Sequence, residues 1–304
     1  MFTTPGISYA VAHDSILLSA RIALLVEHRY LAQSQPQGLA AELRRRGCAV
    51  DVVDPDAAAI DLTGDAWPGD AAVCVARGRS DAVLSRLLAA ERRGVPTINR
   101  AEAVSAVVDK AGMAVALASA GIPTPPTVLG SPDLLAAELP ADAYPVVVKP
   151  IRGDNCRGLR ICGTPDDVAG LAPPIDEQLL AQPYLASNGT DLKLYGVSDR
   201  VWAVRKPSPL RPGGAPWHGG PGEAVPVGLT PELHELALEC SGLFGLELFG
   251  VDCLLTRSGP VVIEVNDFPN YTGVAAADEA LADHVLSRGL AAARPDASFM
   301  EAAR

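Results

Sequence analysis

Residues 145–158 read PVVVKPIRGDNCRG. The run of valines indicates a buried strand, Lys149 stands at its end, and a loop of small and polar residues containing Gly153 and Gly158 follows. In such a loop, backbone N–H groups point at anionic oxygens while a lysine ammonium neutralises their charge, which is the chemistry of a polyphosphate site. The alternative is an exposed hairpin with a solvated lysine, and the GxxxxGK[ST] pattern of a P-loop is absent.

Oxygen-bearing side chains recur near the C-terminus, in segments that read FGVD (Phe249–Asp252) and VIEVN (Val262–Asn266). Glu264 and Asn266 are two residues apart and therefore face the same side of a strand. Carboxylates set among Val, Ile and Leu need a compensating cation, and a set of carboxylate and amide oxygens suits Mg²⁺. The alternative is an edge strand with both groups in water.

The first hundred residues alternate apolar runs with amphipathic stretches, which is typical of a small parallel sheet covered by helices. No GxGxxG follows the first strand, so a dinucleotide-binding Rossmann domain is not supported. We predict strands at Arg21–Val26, Cys48–Val53, Ala71–Ala76 and Val95–Ile98, a helix over Gln37–Arg46 closed by Gly47, and a helix from a Ser80 cap to Arg93.

A long helix is predicted over Asn99–Ala120, and the proline-rich linker Ile122–Thr127 follows it. Beyond the linker we predict three short antiparallel strands, a hairpin, a Pro/Gly-rich loop, a helix, a second hairpin and a terminal helix. The ranges are, in that order, Val146–Lys149, Leu159–Cys162 and Gln178–Ala181; Leu192–Val197 with Val201–Arg205; Pro207–Gly222; Pro231–Phe244; Phe249–Thr256 with Pro260–Val265; and Gly273–Ala292. The fold class is therefore α/β, with α+β lobes after the linker.

Composition excludes several classes of protein. The net charge is −11, and residues 1–100 hold 11 Arg against 11 acidic groups while residues 101–304 hold 14 basic against 25 acidic groups, so no half offers the basic face of a nucleic-acid binder. The longest uncharged run, Ala111–Pro132, contains prolines that would break a membrane helix, and the first 20 residues lack a basic signal-peptide region. The six cysteines form no CxxC pair. We expect reduced core cysteines and a cytoplasmic protein without a membrane or nucleic-acid partner.

Lysine is rare in this chain, because 21 of its 25 basic residues are Arg. A compact, flexible ammonium binds differently from a planar guanidinium, so each lysine marks a place where the ammonium is needed. The four lysines are Lys110, Lys149, Lys193 and Lys206.

Taken together, these segments resemble the ATP-grasp superfamily over nearly the whole chain, from Arg21 to about Gly289. The resemblance implies an ATP-grasp fold, with a tail at residues 1–20, an N-terminal α/β preATP-grasp lobe at 21–100, a central lobe at 101–187 and a C-terminal lobe at 188–304. The last two lobes would clamp ATP between them.

The resemblance also implies ligands for ATP and for a metal ion. The segment QPYL (Gln182–Leu185) looks like the hinge that holds adenine through the carbonyl of its first residue, Gln182, and the N–H of its third, Tyr184. The phosphates would be bound by Lys110 and Lys149 with loop residues Gly153, Asn155 and Gly158, the ribose would lie near Asp191, and Mg²⁺, with Mn²⁺ as an alternative, would be held by Asp252, Glu264 and Asn266.

Two branches of the superfamily compete. The Gly-rich loop and the segment VWAVRK (Val201–Lys206) resemble the ligases of the ribosomal-protein-S6-modification and glutathione-synthetase types, whereas RKPS (Arg205–Ser208) and FPNYTGV (Phe268–Val274) are also similar to the inositol polyphosphate 5/6-kinases and 1-kinases. A neutral to acidic chain lacks the basic funnel that an inositol polyphosphate needs, which favours the ligase. A non-catalytic nucleotide-binding regulator is a third hypothesis, disfavoured by the complete metal triad.

The expected function is therefore an ATP-dependent carboxylate–amine ligase that acts through an acyl phosphate, with a small-molecule acid and an amine as substrates. A kinase acting on an inositol phosphate or a related polyol is the alternative, and the oligomeric state is left open. Arg205, Lys193 and Lys206 are the expected catalytic residues, and Arg77, Arg79, His218 and Asn270 are the expected substrate contacts.

Overall fold

The computed structural model describes residues 20–153, 156–172, 178–186, 189–208, 210 and 224–293. The described residues divide into two compact units. Unit 1 contains residues up to Val104, Phe268–Tyr271 and the residues from Ala275 onward, and unit 2 contains Ser105–Asp267 and Thr272–Val274. The lobe boundaries expected at residues 100 and 187 stay a prediction.

Unit 1 is built on a parallel sheet, as predicted. Its described strands are β1 (Arg21–Val26), β2 (Ala49–Val53), β3 (Val73–Arg77) and β4 (Thr97–Ile98), in the order β2-β1-β3-β4. All neighbouring pairs are parallel. The strands read as continuous apolar runs because parallel strands are covered on both faces.

Helices cover this sheet. They are α1 (Ser34–Arg45), α2 (Asp81–Arg92) and α8 (Ala277–Ala293). The predicted Ser80 cap is confirmed, because its hydroxyl accepts from the N–H of Val83. The terminal helix begins at Ala277 rather than at Gly273, whose φ of +89° is incompatible with a helix.

The predicted long helix over Asn99–Ala120 is wrong, because two helices are present. They are α3 (Ala101–Val108) and α4 (Lys110–Ser119). Asp109 leaves the helical conformation between them, and its carboxylate accepts from the N–H groups of Ala111 and Gly112 at 2.9 and 3.0 Å. This N-cap places Lys110 at the first position of a new helix.

Unit 2 contains two antiparallel sheets. The first has the order β5-β8-β6-β7 and packs one face on two short helices around Leu135, Val148 and Val168. Lys149 lies on the opposite face of β6, because side chains alternate along a strand. The bounds are β5 (Val128–Gly130), α5 (Pro132–Glu138), β6 (Val146–Pro150), β7 (Arg160–Cys162), α6 (Pro165–Ala169) and β8 (Leu179–Pro183).

The second sheet of unit 2 has the order β11-β10-β9-β12-β13. Both predicted hairpins and the predicted helix over Pro231–Phe244 are confirmed. The bounds are β9 (Thr190–Val197), β10 (Arg200–Pro207), β11 (Val225–Val227), α7 (Pro231–Phe244), β12 (Leu248–Thr256) and β13 (Gly259–Asp267). None of the helices within the described ranges has the length and apolar character that crossing a membrane requires.

Candidate active site

A cleft opens between the two sheets of unit 2. Both sheets and the start of α4 contribute to its walls. It gathers the expected catalytic residue Lys193 and most of the residues that the sequence indicated for ATP and metal, namely Lys110, Lys149, Gly153, Gln182, Tyr184, Asp191, Asp252 and Glu264.

Three charged residues form a row across the floor of the cleft. Lys193 of β9 lies opposite Asp252 of β12, and Asp252 lies opposite Glu264 of β13. The Nζ of Lys193 is 2.7 Å from Oδ2 of Asp252, and the Nζ of Lys110 is 3.2 Å from Oε1 of Glu264. Each carboxylate therefore has an ammonium group beside it, which offsets the cost of holding it in a partly buried place.

A β-bulge in the β12–β13 hairpin shapes this row. The register shifts between Asp252 and Cys253, so that Asp252 pairs with Glu264 while Cys253 pairs with Val262. Val262 is buried, whereas Ile263 and Glu264 both line the cleft. The bulge thus lets two consecutive residues face the cleft where a regular strand would offer one.

Oxygen ligands for a divalent cation are present on this face. Asp252 and Glu264 are register partners, and Asn266, two residues beyond Glu264, pairs with Gly250 on the same face. Within the described ranges no three His, Cys, Asp or Glu side chains cluster, so two carboxylates and an amide make up the set. Such a sparse oxygen set fits Mg²⁺, which keeps several waters and is shared with phosphates.

Two buried lysines face the carboxylates. Lys149 is 6% exposed and has no ion-pair partner among the described residues, and burial lowers its pKa, with Glu264 opposing this effect and Lys110 adding to it. Lys110 is 8% exposed, and its N–H donates to the carbonyl of Ile151 at 3.1 Å while its ammonium donates to that of Gly153. Lys110 therefore ties the start of α4 to the Gly-rich loop.

The loop itself depends on glycine at two positions. Gly153 and Gly158 have φ of +155° and +74°, where side chains are strained. A Cβ on Gly158 would lie 3.1 Å from the Pro150 ring, so this residue keeps the loop close to the end of β6.

Asp191 and Lys193 continue the polar floor along β9. Burial alone would lower the pKa of Lys193. The carboxylates of Asp252 and Asp191 outweigh this effect, so the pKa of Lys193 is raised. Burial raises the pKa of Asp191, while Lys193 and a hydrogen bond from Ser208 oppose the rise. The Oδ1 of Asp191 is buried without a hydrogen-bond partner among the described residues. A ligand hydroxyl would supply the missing donor.

Comparison with known proteins agrees with this geometry. A family model described as the RimK-like ATP-grasp domain matches residues 107–286, which is more than half of the chain. The chain belongs to the RimK-like ATP-grasp family. It is accordingly an ATP-dependent ligase that forms a C–N bond.

Relatives of this RimK-like chain carry ligase names. The chain is 30% identical over 278 residues to the probable alpha-L-glutamate ligase 1 of Shewanella frigidimarina, covering 83% of this chain and 89% of the relative. It is 29% identical over 191 residues to the probable alpha-L-glutamate ligase of Legionella pneumophila, covering 60% of this chain and 63% of the relative. The match therefore spans less than two thirds of the Legionella protein.

Solved structures show the same fold. The RimK domain protein ATP-grasp from Sphaerobacter thermophilus superposes with a TM-score of 0.68 at 21% identity, covering 89% of this chain and all of that chain. The D-cycloserine synthetase DcsG superposes with a TM-score of 0.69, also at 21% identity and with the same coverage. The expected ATP-grasp fold is confirmed.

In the RimK-like chain, the backbone groups expected to contact adenine point towards strand β6 instead of into the cleft. The N–H of Tyr184 donates to the carbonyl of Pro145 at 2.9 Å, and Gln182, two residues earlier, pairs with β6 in the same way. Because backbone groups alternate sides along a strand, the Pro183 carbonyl points away from β6. The N–H of Leu185 has no partner among the described residues. The Pro183 carbonyl and the Leu185 N–H are therefore the hinge groups that β6 leaves for a ligand, and the expected adenine contacts of Gln182 and Tyr184 stay a prediction.

Arg205 lies on the opposite face of the sheet from the charged floor. In β10 it pairs with Leu192, whereas Lys206 pairs with Asp191. Lys206 therefore shares the face of Asp191 and Lys193, because successive side chains alternate. The register does not bring Arg205 to the cleft face, whereas the other two expected catalytic residues, Lys193 and Lys206, lie on that face, and their catalytic roles stay predictions. Burial, together with Lys193, lowers the pKa of Lys206 to about 8.

Replacing Lys206 by Met is expected to raise the melting temperature at neutral pH. The folded protein holds the Lys206 proton less tightly than the unfolded chain, with a pKa of about 8 against 10.5. This penalty is fully present below pH 8 and disappears as the pH rises towards 10.5. The Met variant should melt roughly 2–4 °C higher at pH 7, the shift that about 1 kcal/mol produces in a protein of this size.

Thermal unfolding of both proteins at pH 7 and pH 9.5 checks this expectation. The advantage of the Met variant should shrink at the higher pH, because Lys206 is then mostly neutral in the folded wild-type protein. A constant difference between the two proteins would contradict the pKa assignment.

The expected substrate residues that the structure describes belong to unit 1. Arg77 is buried with its guanidinium 4.0 Å from the centre of the Tyr30 ring, and Arg79 follows it half-buried. The Oδ1 of Asn270 is buried without a hydrogen-bond partner among the described residues. Asn155 and His218 lie outside the described residues, and their roles stay predictions.

Proposed function

We propose that this chain joins a carboxylic acid to the amino group of an amino acid, with L-glutamate as the amine, through an acyl phosphate. The observation that carries the proposal is the cleft floor, where two carboxylates lie beside lysine ammonium groups at 2.7 and 3.2 Å. The names of the Shewanella and Legionella relatives support glutamate as the amine.

ATP would be held by groups from both sheets of unit 2. Lys110 and Lys149 reach the phosphates with the N–H groups of the Gly-rich loop. Pro183 and Leu185 hold the adenine through backbone groups, and the Oδ1 of Asp191 accepts from a ribose hydroxyl.

Asp252, Glu264 and Asn266 would hold Mg²⁺, or Mn²⁺ in its place. A cation here supplies charge neutralisation for the phosphate oxygens. The lysines share that task, because Lys110 contacts Glu264 and Lys193 contacts Asp252.

The reaction would proceed in two steps. A carboxylate oxygen of the acid forms a bond to the γ-phosphorus of ATP, the bond from that phosphorus to the β-γ bridging oxygen breaks, and ADP leaves. The amine nitrogen then attacks the acyl carbon, the tetrahedral intermediate expels phosphate, and the nitrogen loses a proton. Lys193 and Lys206 lie on the face where charge develops and stabilise it electrostatically.

We place the carboxylate of an amino-acid substrate on unit 1, where Arg79 would contact it and the buried Arg77 would add positive charge. Asn270 has an acceptor oxygen for an ammonium group. The cytoplasm supplies ATP and keeps thiols reduced, and this is the location we infer, since all six cysteines are free.

Hydroxylamine trapping tests the acyl phosphate. Incubation with ATP, Mg²⁺, a panel of carboxylic acids and hydroxylamine should yield a hydroxamate from the true acid even when glutamate is left out. A kinase would leave a phosphate ester that hydroxylamine does not cleave. Stoichiometric ADP formation with a phosphorylated hydroxyl product and no hydroxamate would overturn the proposal.

A further inference from the structure

Unit 1 carries a cluster of charged residues at a point where ligands commonly bind in open α/β sheets. From the central strand β1 the chain passes to β2 on one side, and β3 lies on the other side. Ligands of such sheets bind beyond the carboxyl ends of the strands at this crossover point. The residues there are Glu27, directly after β1, and the segment Arg77–Ser80, at the end of β3.

The Glu27 carboxylate is the centre of this cluster. Its side chain is buried, with Glu27 only 3% exposed, and it accepts hydrogen bonds from the backbone N–H groups of Arg79 and Ser80 at 2.5 and 2.6 Å. It also accepts from the Nε of Arg29 at 2.5 Å, and the N–H of Glu27 donates to the carbonyl of Arg77 at 3.1 Å. One residue thus holds both ends of the segment that carries the two arginines.

This arrangement determines how a substrate anion can be bound. Ser80 is the N-cap of α2, so the Glu27 carboxylate occupies the positive end of that helix. Because the Glu27 carboxylate already occupies the N-terminus of α2, a ligand carboxylate has to be bound by arginine side chains instead.

Only glycine at position 78 leaves room for the Glu27 side chain. Its φ is +150°, and a Cβ built on it would lie 2.6 Å from the Cγ and 2.7 Å from the Oε1 of Glu27. A side chain at position 78 would displace the carboxylate. The loop conformation and the carboxylate position are therefore coupled.

The same residue also supports Arg77. The carbonyl of Glu27 accepts from the N–H of Tyr30 at 2.8 Å, which fixes the turn that carries the Tyr30 ring. The Arg77 guanidinium lies 4.0 Å from the centre of that ring and donates to Oε1 of Gln33 at 3.1 Å. Arg77 is held in place by these contacts, and the backbone of the half-buried Arg79 is held by its N–H bond to Glu27.

We propose that Glu27 is the positioning residue of a carboxylate-binding site in unit 1, in which Arg79 contacts the carboxylate of the amino-acid substrate. The inference rests on the proposed function, which assigns the arginines to substrate. Glu27 acts through Arg79 and does not itself touch the ligand.

The test measures the affinity of the full-length protein for L-glutamate, in the presence of Mg²⁺ and a non-hydrolysable ATP analogue, by calorimetry. The variants are Arg79→Ala, Glu27→Leu and Glu27→Gln, with ADP affinity measured in parallel. Glu42→Gln is the matched control, because Glu42 is another unit 1 carboxylate bonded to arginines, Arg45 and Arg46, but lies on α1.

Arg79→Ala and Glu27→Leu should each weaken glutamate binding about tenfold or more, as the loss of a charge-assisted contact does. Glu27→Gln should weaken it less, because the amide oxygen still accepts the two N–H bonds. ADP affinity should stay unchanged in all variants, and the control should bind glutamate normally.

The contrary outcomes separate the two ideas. Normal glutamate affinity in both Glu27 variants, with loss in Arg79→Ala, overturns the positioning role and leaves the substrate site intact. Normal affinity in Arg79→Ala, or no binding of glutamate by the wild-type protein, overturns the site together with this part of the proposed function. If Glu27→Leu does not fold, the Glu27→Gln variant alone tests the positioning role. An equal loss of ADP and glutamate affinity in Glu27→Gln would mean that Glu27 only stabilises the fold, which would overturn the proposal.

Discussion

Glu264→Gln is expected to fold like the wild-type protein and to lose about 100-fold to 1000-fold of its ligase activity, the range seen when one preorganised electrostatic contact is removed. The substitution keeps the side-chain volume but removes the charge that lies opposite Asp252 and 3.2 Å from the ammonium of Lys110. The rate of ADP formation at saturating Mg²⁺ measures the loss.

Glu235→Gln is the matched control for this variant, because Glu235 is exposed on α7 and its removal changes the net charge equally. Unfolding curves of both variants should overlay that of the wild-type protein. Near-normal turnover of Glu264→Gln with Mg²⁺ would remove Glu264 from the metal set.

Lys149→Ala is expected to weaken nucleotide binding roughly 10-fold to 100-fold, the equivalent of about 1.5–3 kcal/mol for a hydrogen bond to a charged group. Lys149 is buried on the cleft face of β6 and has no ion-pair partner within the described ranges, so its charge is available to phosphates. Calorimetric titration with ADP and Mg²⁺ gives the affinity.

Lys206→Ala provides the comparison, since Lys206 lies on β10 opposite Asp191 rather than at the start of the Gly-rich loop. Its nucleotide affinity should change by less than about threefold, within the scatter of single contacts. Equal weakening in the two variants would contradict the assignment of Lys149 to the phosphates. Lys149→Ala should also melt no lower than the wild-type protein, because it removes a buried cation.

The strands and most helices were predictable because their signals are local. The apolar run of β1, the Ser80 cap and the helix over Pro231–Phe244 each depend on residues within one segment. The break at Asp109 was missed because small apolar residues on both sides continue the helical pattern. An aspartate that caps the following N–H groups was the signal that could have shown it.

The site was predictable as a set of residues but not in its register. Because Glu264 and Asn266 are two residues apart, the sequence places them on one face of the strand. No residue in that segment indicates the bulge that adds Ile263 to the cleft wall. Whether Arg205 or Lys206 faces the cleft depends on pairing with β9, and which hinge carbonyl points away from β6 depends on pairing with β6. Both are long-range relations that no single segment contains. Ser208 is not among the expected site residues, because a lone serine in a loop does not indicate a ligand contact.

The bulge in the β12–β13 hairpin gives this stretch one position at which the chain length can change without exchanging the two faces of the strand. Removing Ile263 would leave Glu264 opposite Asp252 and Val262 opposite Cys253, so regular alternation would return with both side chains on their present faces. Removing Val265 would instead turn Glu264 away from the face of Asn266, because successive side chains of a strand alternate. In an alignment of relatives, a one-residue gap at position 263 is therefore compatible with an intact cleft, whereas a gap at position 265 would indicate a misplaced alignment.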